Sequence, residues 1–243
     1  MQVDWQGTTG LEIAEQAALA GVEQAAFTRQ PTPAGVAAAA TMAAAFVADH
    51  YNAPLTLYYA GANIRPFIAS EYYAYVSKTV EQKGVLISQS GETSEILWNT
   101  ERFHSIIAVT NNPNSALGKA KNTEKLIELF AGEEGFSSTK TYLNTLVVLY
   151  LGLGIDPRDG VIQLEKQMPL FKESMAQAAN EVFEYMQSRS VKGLYVLGSG
   201  PNLGTALQGA LTLSETTRYA WSGMSLGQYD HGPKETANDS VVV

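Results

Sequence analysis

Apolar positions along the chain gather into short runs separated by longer mixed stretches. Residues 9–27 and 34–50 are rich in Ala, Glu and Gln and are expected to be helical. Apolar runs of strand length follow at 55–59, 85–87, 106–110 and 125–129, with helical patterns between them near 70–83, 93–102 and 114–121. Strand and helix thus alternate, and alternation of this kind predicts a parallel sheet covered by helices on both faces. Residues 138–151 read as a helix, with Leu143, Leu146, Val147 and Tyr150 as its apolar positions. Turn residues at 155–160 then interrupt the pattern, and 163–189 reads as one long amphipathic helix leading to a second unit. That unit opens with a strand at 193–197 and a glycine turn running into a helix. The second half therefore repeats the scheme of the first. The expected organisation is α/β, with one unit over 1–160 and a linking helix plus second unit over 161–243. The final valines read as the middle of a strand, so the second unit is expected to be incomplete.

Composition narrows the classes of function. A chain of 243 residues, 45% of them hydrophobic, can bury a sizeable core. Sixteen Lys and Arg against 24 Asp and Glu give a formal charge of −8, which disfavours nucleic acid or an acidic membrane surface as partner. With no cysteine there are no disulfides or thiolate metal ligands, and His50, His104 and His231 are too far apart in sequence for a local zinc motif, so neither metal nor cofactor is implied. The longest apolar stretch, 34–47, is too short for a membrane span, and a cytoplasmic protein is expected.

Two turns carry candidate chemistry. ISQSGETSE at 87–95 follows a strand and opens a helix, placing hydroxyls and free N–H groups where a phosphate would be stabilised. The bland reading has Ser90 capping the helix and Gly91 turning the chain, but it leaves the number of hydroxyls unexplained. No Gly-Lys-Ser or Gly-Lys-Thr supports a nucleotide P-loop. The second turn, 198–204 (GSGPNLG), has its third glycine one place late for a dinucleotide fingerprint, and no acidic residue follows at the spacing a ribose partner needs. A small phosphorylated ligand or a structural turn fits it better.

ISQSGETSE, the TNNPNSAL segment at 110–117 and AGEEGFSSTKTY at 131–142 together resemble the sugar isomerase (SIS) domain. LYVLGSGPNLGTALQGALTLSE at 194–215 and GQYDHGP at 227–233 resemble its second copy in the double-domain family. The likeness is to the isomerase half of glucosamine-6-phosphate synthase and to stand-alone phosphosugar isomerases, deaminases and deglycases. It implies that each unit is an SIS-type subdomain, and that Ser88, Gln89, Ser90 and Thr93 bind the sugar phosphate with Ser138 close to the sugar. It also implies that Glu215 moves a proton between C1 and C2. His231 matches the histidine associated with ring opening, which in the family reaches the site of a neighbouring subunit, so a homodimer is implied. The assignments suit the chemistry: one carboxylate can take a proton beside a carbonyl and return it to the adjacent carbon, and a loop histidine can exchange protons near neutral pH. A solvated helix glutamate and a structural loop histidine are the plain alternatives.

The chain also departs from the family pattern. Thr212 stands where synthase-like members have lysine, and Gln208 where they have an acidic residue. The family's first glycine-serine turn, expected between an opening strand and the helix near residues 34–49, is not recognisable, since residues 31–35 stand there without a preceding strand, and AGEEGFSSTK is one residue short. Segments are expected to be missing, among them a C-terminal lysine used near the carbonyl. No cysteine nucleophile for glutamine hydrolysis is present. The resemblance leaves two classes open, an enzyme acting on a hexose or amino-hexose 6-phosphate and a non-catalytic sugar-phosphate sensor.

Overall fold

The computed structural model describes residues 45–243 apart from 51, 77 and 135. The helix expected over 9–27, and most of that over 34–50, lie outside the described residues. The described end of the latter is a strand instead: β1, Ala45–Ala48, is completely buried. It is followed by α1 (Asn52–Tyr59), β2 (Arg65–Ile68) and a short α2 (Ala69–Glu71) that continues as a π-turn over Tyr72–Val76. Next come β3 (Glu81–Ile87), α3 (Ser94–Asn99) with a 3₁₀ turn, β4 (Phe103–Thr110) and β5 (Thr123–Glu128). The five strands form one parallel sheet in the order β2-β1-β3-β4-β5.

Alternation along the strands divides the core into two layers. Phe46, Ala48, Val85, Ile87, Ile107 and Val109 face α1 and the helix α4 (Lys140–Gly152). Ala45, Val47, Leu86, Ile106 and Ala108 face Tyr72, Ile96 and Leu117 on the other side. A strand buried on both faces has no polar positions to alternate with, which is why β3 and β4 stand out as plain apolar runs.

The long α5 (Arg158–Ser188) leads to a second, smaller parallel sheet. Its strands are β6 (Gly193–Gly198), β7 (Ser222–Ser225) and β8 (Ser240–Val242), ordered β7-β6-β8. Between β6 and β7 runs α6 (Asn202–Thr217), and α7 (Leu226–Asp230) follows β7 behind a capping box made by Ser225 and Gln228. Both sheets are parallel, as the strand–helix alternation predicts. Their helices α1 and α6 pack directly on one another.

Four expectations from the pattern are corrected. Residues 55–59 are helical, because residues 52–57 are buried all round and give no amphipathic stripe to read. Residues 114–121 are a series of hydrogen-bonded turns folded over Gly91, whose carbonyl accepts from the Leu117 N–H at 3.0 Å. The helix expected over 70–83 ends at Val76, since Glu81 already belongs to β3. The helix placed at 163–189 begins at Arg158, inside the expected turn.

Candidate functional site

A cleft of about 280 Å³ opens where the two subdomains meet, at the C-terminal ends of β1 and β3. Open parallel sheets bind ligands outside this edge. β3 delivers Ser88 and Gln89, the loop before α4 delivers Glu134, Ser137 and Ser138, α1 and α4 supply Ala53, Thr141 and Tyr142, and α6 supplies Gln208 and Glu215. Thus Ser88, Gln89, Ser138 and Glu215, spread over most of the described sequence, line one space. Ser90 and Thr93 stand just outside its lining, and His231 lies elsewhere, exposed at the end of α7.

Helix contact sets the cleft's floor. A Cβ on Gly204 would come within 2.2 Å of Thr56 Oγ1 and 2.3 Å of the Asn52 carbonyl oxygen, so only a bare backbone lets α6 approach α1 this closely. The late third glycine of the second turn is thereby a packing residue. Asn52 Nδ2 donates to Gln208 Oε1 at 3.0 Å, and Gln208 Nε2 donates to the Ser138 carbonyl at 3.0 Å. The residue that replaces an acidic position thus ties both subdomains to the serine loop.

The hydroxyl-rich turn is held by its own contacts. Ser88 Oγ accepts from the Gly91 N–H at 3.1 Å and lies 2.9 Å from Thr93 Oγ1. Ser90 does not cap α3: its Oγ accepts from the Glu92 N–H at 3.1 Å, while Thr93 is the N-cap residue. Gly91 has φ +68°, and a Cβ there would collide with Ser115 Oγ at 2.1 Å. The glutamine backbone is fixed from β4, with the Asn111 N–H and Thr110 Oγ1 donating to the Gln89 carbonyl at 3.0 and 3.1 Å.

Two carboxylates that the residue pattern did not single out sit among these donors. Thr93 Oγ1 donates to Asp49 Oδ2 at 2.8 Å, and the other carboxylate oxygen, Oδ1, is buried without a partner among the described residues. Burial pushes the Asp49 carboxyl above its usual range, against the opposing pull of the Thr93 and Ser88 hydroxyls and of His50. Glu134 Oε1 accepts from the N–H groups of Thr139 and Thr141, each at 2.9 Å, and Oε2 accepts from the Thr141 hydroxyl, so a carboxylate closes the start of α4. Asp49 and His50 were hidden inside an expected helix. The legible signal was a polar pair immediately after the apolar Ala45-Phe46-Val47-Ala48. The first glycine-serine turn was expected ahead of that helix, at 31–35, which lies outside the described residues.

Among the described residues no group of acids and histidines is arranged to hold a metal, and no helix is long and apolar enough to cross a membrane.

Two parallel α/β units meeting at a cleft lined by hydroxyls and one helix-borne glutamate define an SIS-type double-subdomain protein. Glutamine–fructose-6-phosphate aminotransferase [isomerizing] of Sulfurisphaera tokodaii is 32% identical over 184 residues, covering 71% of this chain and 30% of that protein. The chain thus spans about 30% of the length of this curated relative. In fold it resembles the C-terminal domain of glucosamine-fructose-6-phosphate aminotransferase from Francisella tularensis, with a TM-score of 0.66 at 20% identity over 97% of this chain and 74% of that one. It likewise resembles glucosamine-6-phosphate deaminase from Thermotoga maritima, with a TM-score of 0.69 at 20% identity over 94% and 73% of the two chains. No family model matches the chain. Its relatives in sequence are isomerising aminotransferases, and its fold is that of SIS domains.

Proposed function

We propose that the chain is the sugar-phosphate unit of an isomerase- or deaminase-like enzyme acting on a hexose or amino-hexose 6-phosphate. The observation that carries this reading is the convergence of Ser88, Gln89, Ser138 and Glu215 on one cleft between the subdomains. The relative's name includes an isomerising step on fructose 6-phosphate, and that of a fold neighbour a deamination of glucosamine 6-phosphate. Both reactions exchange a proton between adjacent sugar carbons.

In the proposed mechanism the phosphate lies against Ser88, Gln89, Ser90 and Thr93, and the sugar extends past Ser138 towards α6. The Glu215 carboxylate takes a proton beside the carbonyl, an enediol or enolamine forms, and the same carboxyl returns the proton to the neighbouring carbon. His231 assists ring opening from a second subunit, so the working form is a homodimer. Residues 1–160 and 161–243 act as the two units, and the protein works in the cytoplasm.

The test is incubation with a panel of hexose and amino-hexose 6-phosphates in deuterated solvent, following isomer, ammonia and deuterium at C2 by NMR. Deuterium incorporation without ammonia identifies an isomerase, and release of ammonia a deaminase. Tight binding of a phosphosugar with neither product nor exchange would replace the enzyme by a non-catalytic sensor.

A further inference from the structure

The charge of the cleft is at odds with a phosphorylated ligand. Its described lining carries the carboxylates of Asp49, Glu134 and Glu215, the His50 imidazole, and no lysine or arginine. A phosphate monoester brings nearly two negative charges at neutral pH, since its second pKa is about 6. Two of the hydroxyls placed to receive it, those of Ser88 and Thr93, are already engaged. Asp49 Oδ2 holds Thr93 Oγ1 at 2.8 Å, and Thr93 is in turn 2.9 Å from Ser88 Oγ. A phosphoryl oxygen seeking these donors meets a carboxylate of the protein.

We infer that Asp49 is the specificity-determining group of this cleft: a phosphoryl group takes over the Thr93 and Ser88 hydroxyls only with one proton held between it and the Asp49 carboxylate. The inference rests on the phosphosugar reading above and adds to it a proton-coupled choice of ligand. The balance is simple. Well above the second phosphate pKa the ester arrives as a dianion, Asp49 starts as a carboxylate, and one proton comes from solvent. In the complex either the carboxyl donates to the phosphate or the phosphate donates to the carboxylate, which is one macroscopic state of a coupled pair. At low pH the ester already carries that proton and none is taken up.

The neighbours of Asp49 are arranged for this exchange. His50 on its own segment favours the ionised form, Glu95 on α3 opposes it, and the Ser88 and Thr93 hydroxyls stabilise it. Glu134 from the loop before α4 and Glu215 from α6 add negative charge to the same cleft. Burial favours the protonated carboxyl most strongly of all, so the proton is accepted readily.

The experiment is calorimetric titration with fructose 6-phosphate and glucosamine 6-phosphate at pH 8, in buffers of different ionisation enthalpy. The parent should take up close to one proton for each ligand bound. Asp49→Asn, which keeps an acceptor for Thr93 but removes the charge, should take up almost none and bind about tenfold more tightly or better, the least that removal of one close like charge gives. Asp49→Ser, compared by the same titration and checked for folding by circular dichroism, covers a failure of the first variant. Equal affinity and equal proton uptake in parent and variants would overturn the role of Asp49 and leave the phosphosugar reading intact. No binding by parent or folded variants at pH 6 or pH 8 would overturn the phosphosugar reading itself, and the coupling with it.

Discussion

Glu215 and Asp49 are two carboxylates in one cleft with opposite demands. Glu215 is exposed on α6 at the cleft wall, where a base can meet a substrate carbon. Glu215→Gln keeps shape and hydrogen bonding but removes the base, so turnover and C2 deuterium exchange should both fall by roughly 100-fold or more. Binding of the phosphosugar should barely change in calorimetry. Full turnover by this variant would end the catalytic assignment. Asp49 affects the folded state itself. Its carboxyl is raised above the ordinary value of 3.8, chiefly by burial, so the folded protein binds more protons than the unfolded chain as pH climbs past that value. Stability from this group is therefore lost with rising pH, between 3.8 and the folded value, and stays lost above it. Asp49→Asn should be more resistant to urea than the parent at pH 8 and match it near pH 3. An unchanged gap across that range would show that Asp49 ionises as freely folded as unfolded.

Elements differ in how plainly they are written. Strands β3 and β4 and helices α4 and α6 follow from apolar runs and their spacing. β1 does not, because Ala45-Phe46-Val47-Ala48 closes an alanine-rich stretch whose residues favour helix, and only pairing between β2 and β3 makes it a strand. α1 is obscured for the opposite reason: Thr56, Tyr58 and Tyr59 are good strand formers, and packing against α6 overrides that preference. Since β1 was not recognised, Asp49 and His50 at its end went unread as well. The motif-borne residues Ser88, Gln89, Ser138 and Glu215 needed no knowledge of the strand order. The glycine turn before α6 invites a ligand-binding reading, yet Gly204 is spent on the contact with Thr56 and Asn52. Gly204→Ala should force α1 and α6 apart and lower stability by about 1–3 kcal/mol, as overpacking does. Urea denaturation measures this. The same variant should weaken substrate binding, because Gln208 and Glu215 ride on the displaced helix. An unchanged denaturation midpoint would mean that the two helices have room to spare.

At the scale of the whole molecule the open question is how His231 could serve a cleft it does not line. It sits exposed beyond α7, in the second subdomain, while the hydroxyls and Glu215 gather at the subdomain junction. If a two-fold dimer brings His231 of one subunit to the cleft of the other, each active site is assembled from two chains. Complementation tests this directly. Glu215→Gln and His231→Ala homodimers should each be slow on ring-closed hexose 6-phosphates, and His231→Ala should recover most of its rate on an open-chain analogue. When the two variants are unfolded, mixed in equal amounts and refolded together, random pairing makes half of the dimers mixed. Each mixed dimer holds one site with an intact Glu215 and an intact His231, and one site lacking both. Activity should therefore return to about a quarter of the parent value under two-fold pairing. If His231 acted within its own chain, every site would carry one lesion and mixing would restore nothing. A monomer in sedimentation at assay concentration, still fully active, would exclude a shared site altogether.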